Sequence, residues 1–282
     1  MTVDVDSLSS LLKFYSINRK VDISEERVAI EDGVSELLET FDYENVKATF
    51  FVPGKVCLEH CNVIRKVYKL GHEIACHGLN HDKNEFNSKS YSTQEKSIAE
   101  ATEVIRRCIG VAPLGFRAPC LRINSLTLKA LEQHSYLYDS SVISTLIPGY
   151  YGTLRAPLKP YFPSYNSIVS HGSCKVLEIP VSVEPLSHIP ISGAWMKNLG
   201  FKWLKFSIKL NLYRGNPIVF YLHPRDIVDL PMIKGLPKYF YTKTGEKTLK
   251  ILRKIISYSK SLGVKFVKAG DFAQFIRHHY RY

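Results

Sequence analysis

Ala48-Thr49-Phe50-Phe51-Val52-Pro53-Gly54 reads as a short apolar strand that stops at a Pro-Gly pair. Residues 55–70 follow at helical spacing, Gly71 is placed to end that helix, and His72-Glu73-Ile74-Ala75-Cys76 reads as a second strand. A strand, a helix and a further strand make the parallel crossover unit. A chain that alternates them builds a parallel α/β sheet or barrel. The alternation extends both ways. Val3-Asp4-Val5 is the end of a first strand, and Val28, Ile30, Val34, Leu37 and Leu38 recur at roughly helical spacing over 26–40. Ser92-Thr93-Gln94-Glu95 is a capping box opening a helix through Ile109, closed by Gly110. Asn124 is placed to cap a helix to Gln133, and residues 136–139 read as the next strand. Later come an ordered stretch at 176–183, a strongly apolar strand at 218–222, a helix at 244–262 and a last strand at 265–267. Residues 142–175, with Pro148, Pro157, Pro160 and Pro163 among many Tyr and Ser, read as one long loop. No linker divides the chain, so residues 1–282 are expected to form one domain.

Composition sets limits on function. The 282 residues are 45% hydrophobic and 23% charged, which supports a sizeable core and excludes a disordered chain. No apolar run approaches the ~20 residues of a membrane span. The opening Met-Thr-Val-Asp-Val-Asp is no basic-then-apolar leader, so the expected location is cytoplasmic. Six cysteines are too few for a disulfide scaffold, and none pair as Cys-x-x-Cys. The net charge of +12 is unevenly spread: residues 1–140 carry −3 and residues 141–282 carry +15. Such asymmetry fits either an anionic partner or a lysine-rich solvated surface.

Three clusters can carry chemistry. Asp4-x-Asp6 ends the first strand, and strand alternation puts both carboxylates on one face. Two buried carboxylates so close need a cation, with one ligating it and the other left as a base. His77-Gly78-Leu79-Asn80-His81 follows a strand, and histidines at i and i+4 share a face if the segment makes one helical turn. Together with a carboxylate they form a ligand set for a zinc-like divalent ion with open positions. Arg117-Ala118-Pro119 and His223-Pro224 also stand at strand ends, which converge on one face of a barrel. Such a metal activates water and polarises a carbonyl. The free carboxylate then takes a proton, Arg117 keeps it ionised, and His223 protonates a departing amine. The sum is metal-assisted amide hydrolysis.

These residues lie in ordered blocks that resemble the polysaccharide deacetylase family with NodB homology. Val46–Gly54 is similar to its second strand. The run from Gly71 to Gly78, with His81, resembles its metal-binding histidine motif. Phe116-Arg117-Ala118-Pro119 resembles its Arg-x-Pro motif, and Phe220-Tyr221-Leu222-His223-Pro224 its late histidine motif. The resemblance implies a distorted (β/α) barrel with fewer than eight strands, in one catalytic domain. It implies Asp4 as base, Asp6, His77 and His81 as metal ligands, Arg117 orienting Asp4, and His223 as acid. The backbone N–H of Cys120 would help hold the oxyanion. The implied cofactor is a divalent cation, zinc first and cobalt or nickel next. The implied substrate is an N-acetylated or N-formylated amino sugar. Val5 separates the two aspartates, and this spacing resembles a branch that includes sugar deformylases on lipid-linked substrates and allantoinase-like cyclic amide hydrolases. A cyclic amide hydrolase and a non-catalytic basic binding module are therefore alternatives. Asp139 and Glu184 are candidates for the carboxylate that supports His223.

Two further stretches stand apart. Residues 195–210 combine Trp195, Phe201, Trp203 and Phe206 with Lys197, Lys202, Lys205 and Lys209. They read either as a barrel helix packing its apolar side on the core or as a helix lying in a membrane interface. With the basic second half they make an anionic membrane surface, or a lipid-linked or phosphorylated amino sugar, the expected partner. No motif supports nucleic acid. Cys57-Leu58-Glu59-His60-Cys61 reads as two buried structural cysteines or as a second metal site.

Overall fold

The computed structural model describes residues 1–147 and 151–279. In chain order the elements begin with β1 (Thr2–Asp4), α1 (Leu8–Phe14), α2 (Ile23–Arg27) and α3 (Gly33–Tyr43). They continue with β2 (Thr49–Val52), α4 (Gly54–Glu59), α5 (Cys61–Lys69), β3 (Glu73–Cys76), α6 (Tyr91–Ile109) and β4 (Gly115–Phe116). Next come α7 (Ser125–Gln133), β5 (Tyr138–Asp139), β6 (Leu146–Ile147), β7 (Tyr151–Gly152), β8 (Pro163–Ser164), β9 (Ser167–His171) and β10 (Leu177–Glu178). The chain ends with α8 (Gly193–Tyr213), β11 (Tyr221–Leu222), α9 (Glu246–Ser261) and α10 (Ala269–His279).

Seven strands form one parallel sheet in the order β10-β5-β4-β3-β2-β1-β11. Its two edges meet through Ser182, whose N–H donates to Val219 O at 3.1 Å and whose Oγ accepts the Val219 N–H at 2.8 Å. The result is a distorted α/β barrel with fewer than eight strands, as the family resemblance implies, where the alternation of elements left sheet or barrel open.

The two-residue period of the strands sorts their side chains. Val3, Val5, Phe50, Val52, Ile74 and Cys76 point outward into the main core beneath the helices. Phe51, Ala75, Tyr138 and Leu177 point inward and close the barrel around Ala273 of α10. Asp4 stands in register with Phe51, which stands in register with Ala75, so Asp4 and then Asp6 fall on the inward face. At the opposite mouth, α10 delivers the Ala269 N–H to Thr49 Oγ1 at 2.8 Å and the Gly270 N–H to Glu73 Oε2 at 2.9 Å. A carboxylate there suits the positive end of the helix dipole.

Several expectations need correction. Residues 265–267 form no strand. Both edges of β1 are already occupied, by β2 and β11, and the segment instead leads into α10. The helix expected over 55–70 breaks at His60 (φ −125°, ψ 31°), where the ring Nδ1 lies 2.9 Å from Glu31 Oε1. The helix expected from Ser92 opens two residues earlier, with Ser90 as its cap. The 142–175 stretch contains two antiparallel hairpins, β6–β7 and β8–β9, while Pro148 lies outside the described residues. Cys61 forms a disulfide with Cys108 between α5 and the end of α6, whereas Cys57 is a free buried thiol. The pair Cys57 and Cys61 is therefore no metal site. Helices α1 and α10 had no counterpart in the sequence reading.

Candidate active site

The C-terminal ends of β1, β3 and β11 bring Asp4, Asp6, His77 and His223 to one pocket, joined by His81 from the loop after β3, while Arg117, just after β4, lies buried behind Asp4. Arg117 is wholly buried and all its reach is used. Its Nη1 donates to Asp4 Oδ1 at 2.6 Å and to Thr2 Oγ1 at 3.0 Å. Its Nε and Nη2 donate to Ser140 O and Oγ, both at 2.9 Å. The guanidinium also lies 4.1 Å from the centre of the Phe51 ring. This fork holds Asp4 in one orientation.

Asp6 is the hub. Its Oδ1 lies 3.3 Å from His77 Nε2 and 3.0 Å from His81 Nε2. Its Oδ2 lies 3.2 Å from His223 Nε2 and accepts from both terminal nitrogens of Arg225 at 3.2 Å. Burial alone would raise the Asp6 carboxyl, but the charges of His81, His223 and Arg225 outweigh it and hold it well below the usual carboxylate range.

The fit to a cation follows from an orphaned atom. Asp6 Oδ1 is buried and has no hydrogen-bond partner among the described residues. His77 Nδ1 lies 2.6 Å from the Arg117 carbonyl, which can only accept, so Nδ1 carries the ring proton. In the neutral ring, Nε2 then presents its lone pair to Asp6 Oδ1. Two lone-pair atoms face each other, and a cation between them resolves both. Asp6, His77 and His81 are also the described cluster whose ligating atoms all lie within 4.8 Å of one another. These donors suit zinc and other borderline divalent ions.

The two histidines are not on a helical turn, as their spacing had suggested. Gly78 (φ +73°) and His81 (φ +54°) are left-handed, and the chain doubles back so that the ring centroids are 5.0 Å apart. A Cβ on Gly78 would lie 2.9 Å from the Phe86 ring. Glu85, which the sequence reading missed, fixes this turn by accepting the N–H groups of Leu79, Asn80 and Asp82 at 2.7, 3.3 and 3.2 Å.

Across the pocket, neither Asp139 nor Glu184 supports His223. Asp139 accepts from Ser141, and Glu184 caps the N–H groups of Leu186 and Ser187. The carboxylate beside His223 is Asp226, three residues on. Its Oδ2 accepts the His223 N–H at 3.0 Å and lies 3.3 Å from His223 Nδ1. Its Oδ1 lies 3.4 Å from Lys197 Nζ, on a lysine buried within α8. Burial and Arg225 press the His223 imidazolium down, yet Asp6 and Asp226 prevail and push it up to about 9. Burial first, and then Asp6, push the Cys120 thiol up to about 12, so it stays protonated. The Cys120 backbone is left-handed (φ 55°), and its N–H has no described hydrogen bond. Phe14, Tyr15, Tyr239 and Phe240 line the pocket as one cluster, with the Tyr15 and Phe240 ring centroids 5.7 Å apart and the Tyr15 and Tyr239 hydroxyls 2.6 Å apart.

Known proteins are similar to this chain in sequence and fold. The sequence model of the polysaccharide deacetylase family matches residues 22–138, and one described only as a domain of unknown function matches residues 140–267. A peptidoglycan deacetylase of Helicobacter pylori is 28% identical over 150 residues, 53% of this chain and 50% of its own. The chain thus spans about half the length of that relative. A Mycobacterium smegmatis crystal structure, described within the polysaccharide deacetylases, is 26% identical with a TM-score of 0.70, over 99% of this chain and 89% of its own. An allantoinase shares the fold at 18% identity and a TM-score of 0.63, over 99% of this chain and 84% of its own. Sequence blocks, barrel and matched relatives agree that residues 22–138 carry a polysaccharide deacetylase domain.

Proposed function

We propose that the chain hydrolyses the N-acyl amide of an amino sugar, with acetyl or formyl as the acyl group, and depends on a divalent cation. The observation that carries this is Asp6 Oδ1, buried and unpaired between two imidazoles, with Asp4–Arg117 on one side and His223–Asp226 on the other. Asp6, His77 and His81 would hold the cation, zinc first and cobalt or nickel next. Bound there, such an ion supplies Lewis-acid polarisation and a lowered water pKa. The remaining roles fall to the chain itself. Asp4 accepts the proton of the attacking water, with Arg117 holding its carboxylate in one orientation. The Cys120 N–H donates to the oxygen that gains charge as the amide carbon becomes tetrahedral. His223, held by Asp226, gives its proton to the departing nitrogen, and the products are a free amine and a carboxylate.

Substitution separates the roles. Asp4→Asn is expected to retain the cation and lose turnover, whereas Asp6→Ala and His77→Ala lose both. Metal content by elemental analysis and release of acetate or formate from N-acylated glucosamine oligomers are the readouts. An active Asp4→Asn protein would overturn the base assignment. Allantoin belongs in the same screen, because an allantoinase shares the fold. Its turnover in place of the sugars would move the substrate to cyclic amides.

A further inference from the structure

Helix α8 is interrupted at Gly200, and its second part, residues 201–213, has two unlike faces. Leu204, Ser207, Ile208 and Asn211 are buried against the barrel. Lys202, Lys205, Phe206, Lys209, Leu212 and Tyr213 recur at three- and four-residue steps on the opposite face, and all are exposed. Phe206 is 54% exposed and Tyr213 89%. The helix therefore does pack an apolar side on the core, and it keeps a second set of large apolar side chains, alternating with lysines, in solvent.

The charge around this face has one sign. No acidic residue occurs between Glu184 and Asp226. Helix α9 packs on α8, with the Lys205 ammonium 5.1 Å from the centre of the Tyr258 ring, and adds exposed Lys247, Lys250 and Lys254. The nearby acids are already engaged: Glu246 with Lys250 at 3.8 Å and Glu44 with Lys260 at 3.5 Å. A polyanion alone would need no Phe, Leu and Tyr in the stripe, and a neutral apolar partner would need no lysines. An anionic bilayer surface uses both, with lysines at the headgroup phosphates and aromatic and leucine side chains at the acyl boundary.

We propose that the outward face of residues 201–213, extended by the lysines of α9, docks the protein on the surface of an anionic lipid bilayer. The face is separate from the catalytic pocket, so this inference stands or falls independently of the hydrolase.

The test is co-sedimentation of the full chain with unilamellar vesicles of phosphatidylcholine alone or with phosphatidylglycerol, at low and high salt. The expected result is retention on the phosphatidylglycerol vesicles that weakens with salt. Replacing Lys202, Lys205 and Lys209 together by Gln is expected to lower it about tenfold or more. Phe206→Ser with Tyr213→Ser is expected to lower it as well, because insertion contributes beside charge. Circular dichroism and an unchanged Tm show that these surface variants fold. Equal retention on neutral vesicles, or no loss in the lysine variant, would overturn the proposal. So would tighter binding to a soluble RNA that is indifferent to Phe206→Ser, which would make the face a polyanion site.

Discussion

Asp226 decides what His223 can do. Its Oδ2 accepts the His223 backbone N–H and faces Nδ1, which fixes the ring and favours its charged form. Asp226→Asn is expected to lower kcat by about 10²–10⁴-fold with bound metal unchanged, because the acid loses its support while Asp6, His77 and His81 are untouched. Turnover within a factor of two of the parent would remove His223 as the acid. Asp4, Asp6, His77, Arg117 and His223 were legible in the sequence because each ends a strand and strand ends converge. Asp226 left a signal too: His223-Pro224-Arg225-Asp226 has Pro at the first helical position and an acid at the third, a short capped turn. Lys197 and Arg225 left none, since their contacts with Asp226 and Asp6 depend on where α8 packs and how the turn after β11 folds.

Elements hold that turn in place by close approach. Gly33 begins α3, and a Cβ there would lie 2.6 Å from the Pro224 carbonyl oxygen, directly behind His223. Gly33→Ala is expected to cost about 1–3 kcal/mol of stability and to reduce turnover by shifting the turn. Thermal denaturation and kcat measure the two together, and an unchanged Tm with full activity would mean that the turn yields freely. A second contact joins β5 to β10. Asp139 and Glu178 stand in register, each with one buried oxygen lacking a conventional partner among the described residues, and the two carboxyls satisfy each other only with a proton between them. Burial first, and then the Asp139 charge, hold Glu178 well above the usual carboxylate range. The native state therefore keeps a proton that the unfolded chain releases near pH ~4.3. Stability is full below that pH and falls as the pH rises through the window up to the native value. Glu178→Gln keeps a donor toward Asp139, so its Tm is expected to fall less than the parent's between about pH 5 and about pH 8. Parallel Tm profiles would contradict the shared proton. Hairpins β6–β7 and β8–β9 were hidden because two- to five-residue pairs rich in Pro and Ser carry no period to read.

At the scale of the molecule, a parallel barrel places one set of strand ends on a common face and α10 closes the other mouth. That division explains why the chemistry-bearing residues gather although they are scattered from Asp4 to Asp226. It also explains why the alternation of strands and helices foretold a parallel α/β architecture but not α10, whose docking depends on Glu73 and Thr49 at the closed end. The central claim is that the convergence makes a cation site. It is tested most directly by calorimetric titration of Zn²⁺ into the chelator-stripped protein, with the His77→Ala variant as reference. The account predicts one tight site per chain that disappears in the variant. The same weak or absent heat in both proteins would contradict it.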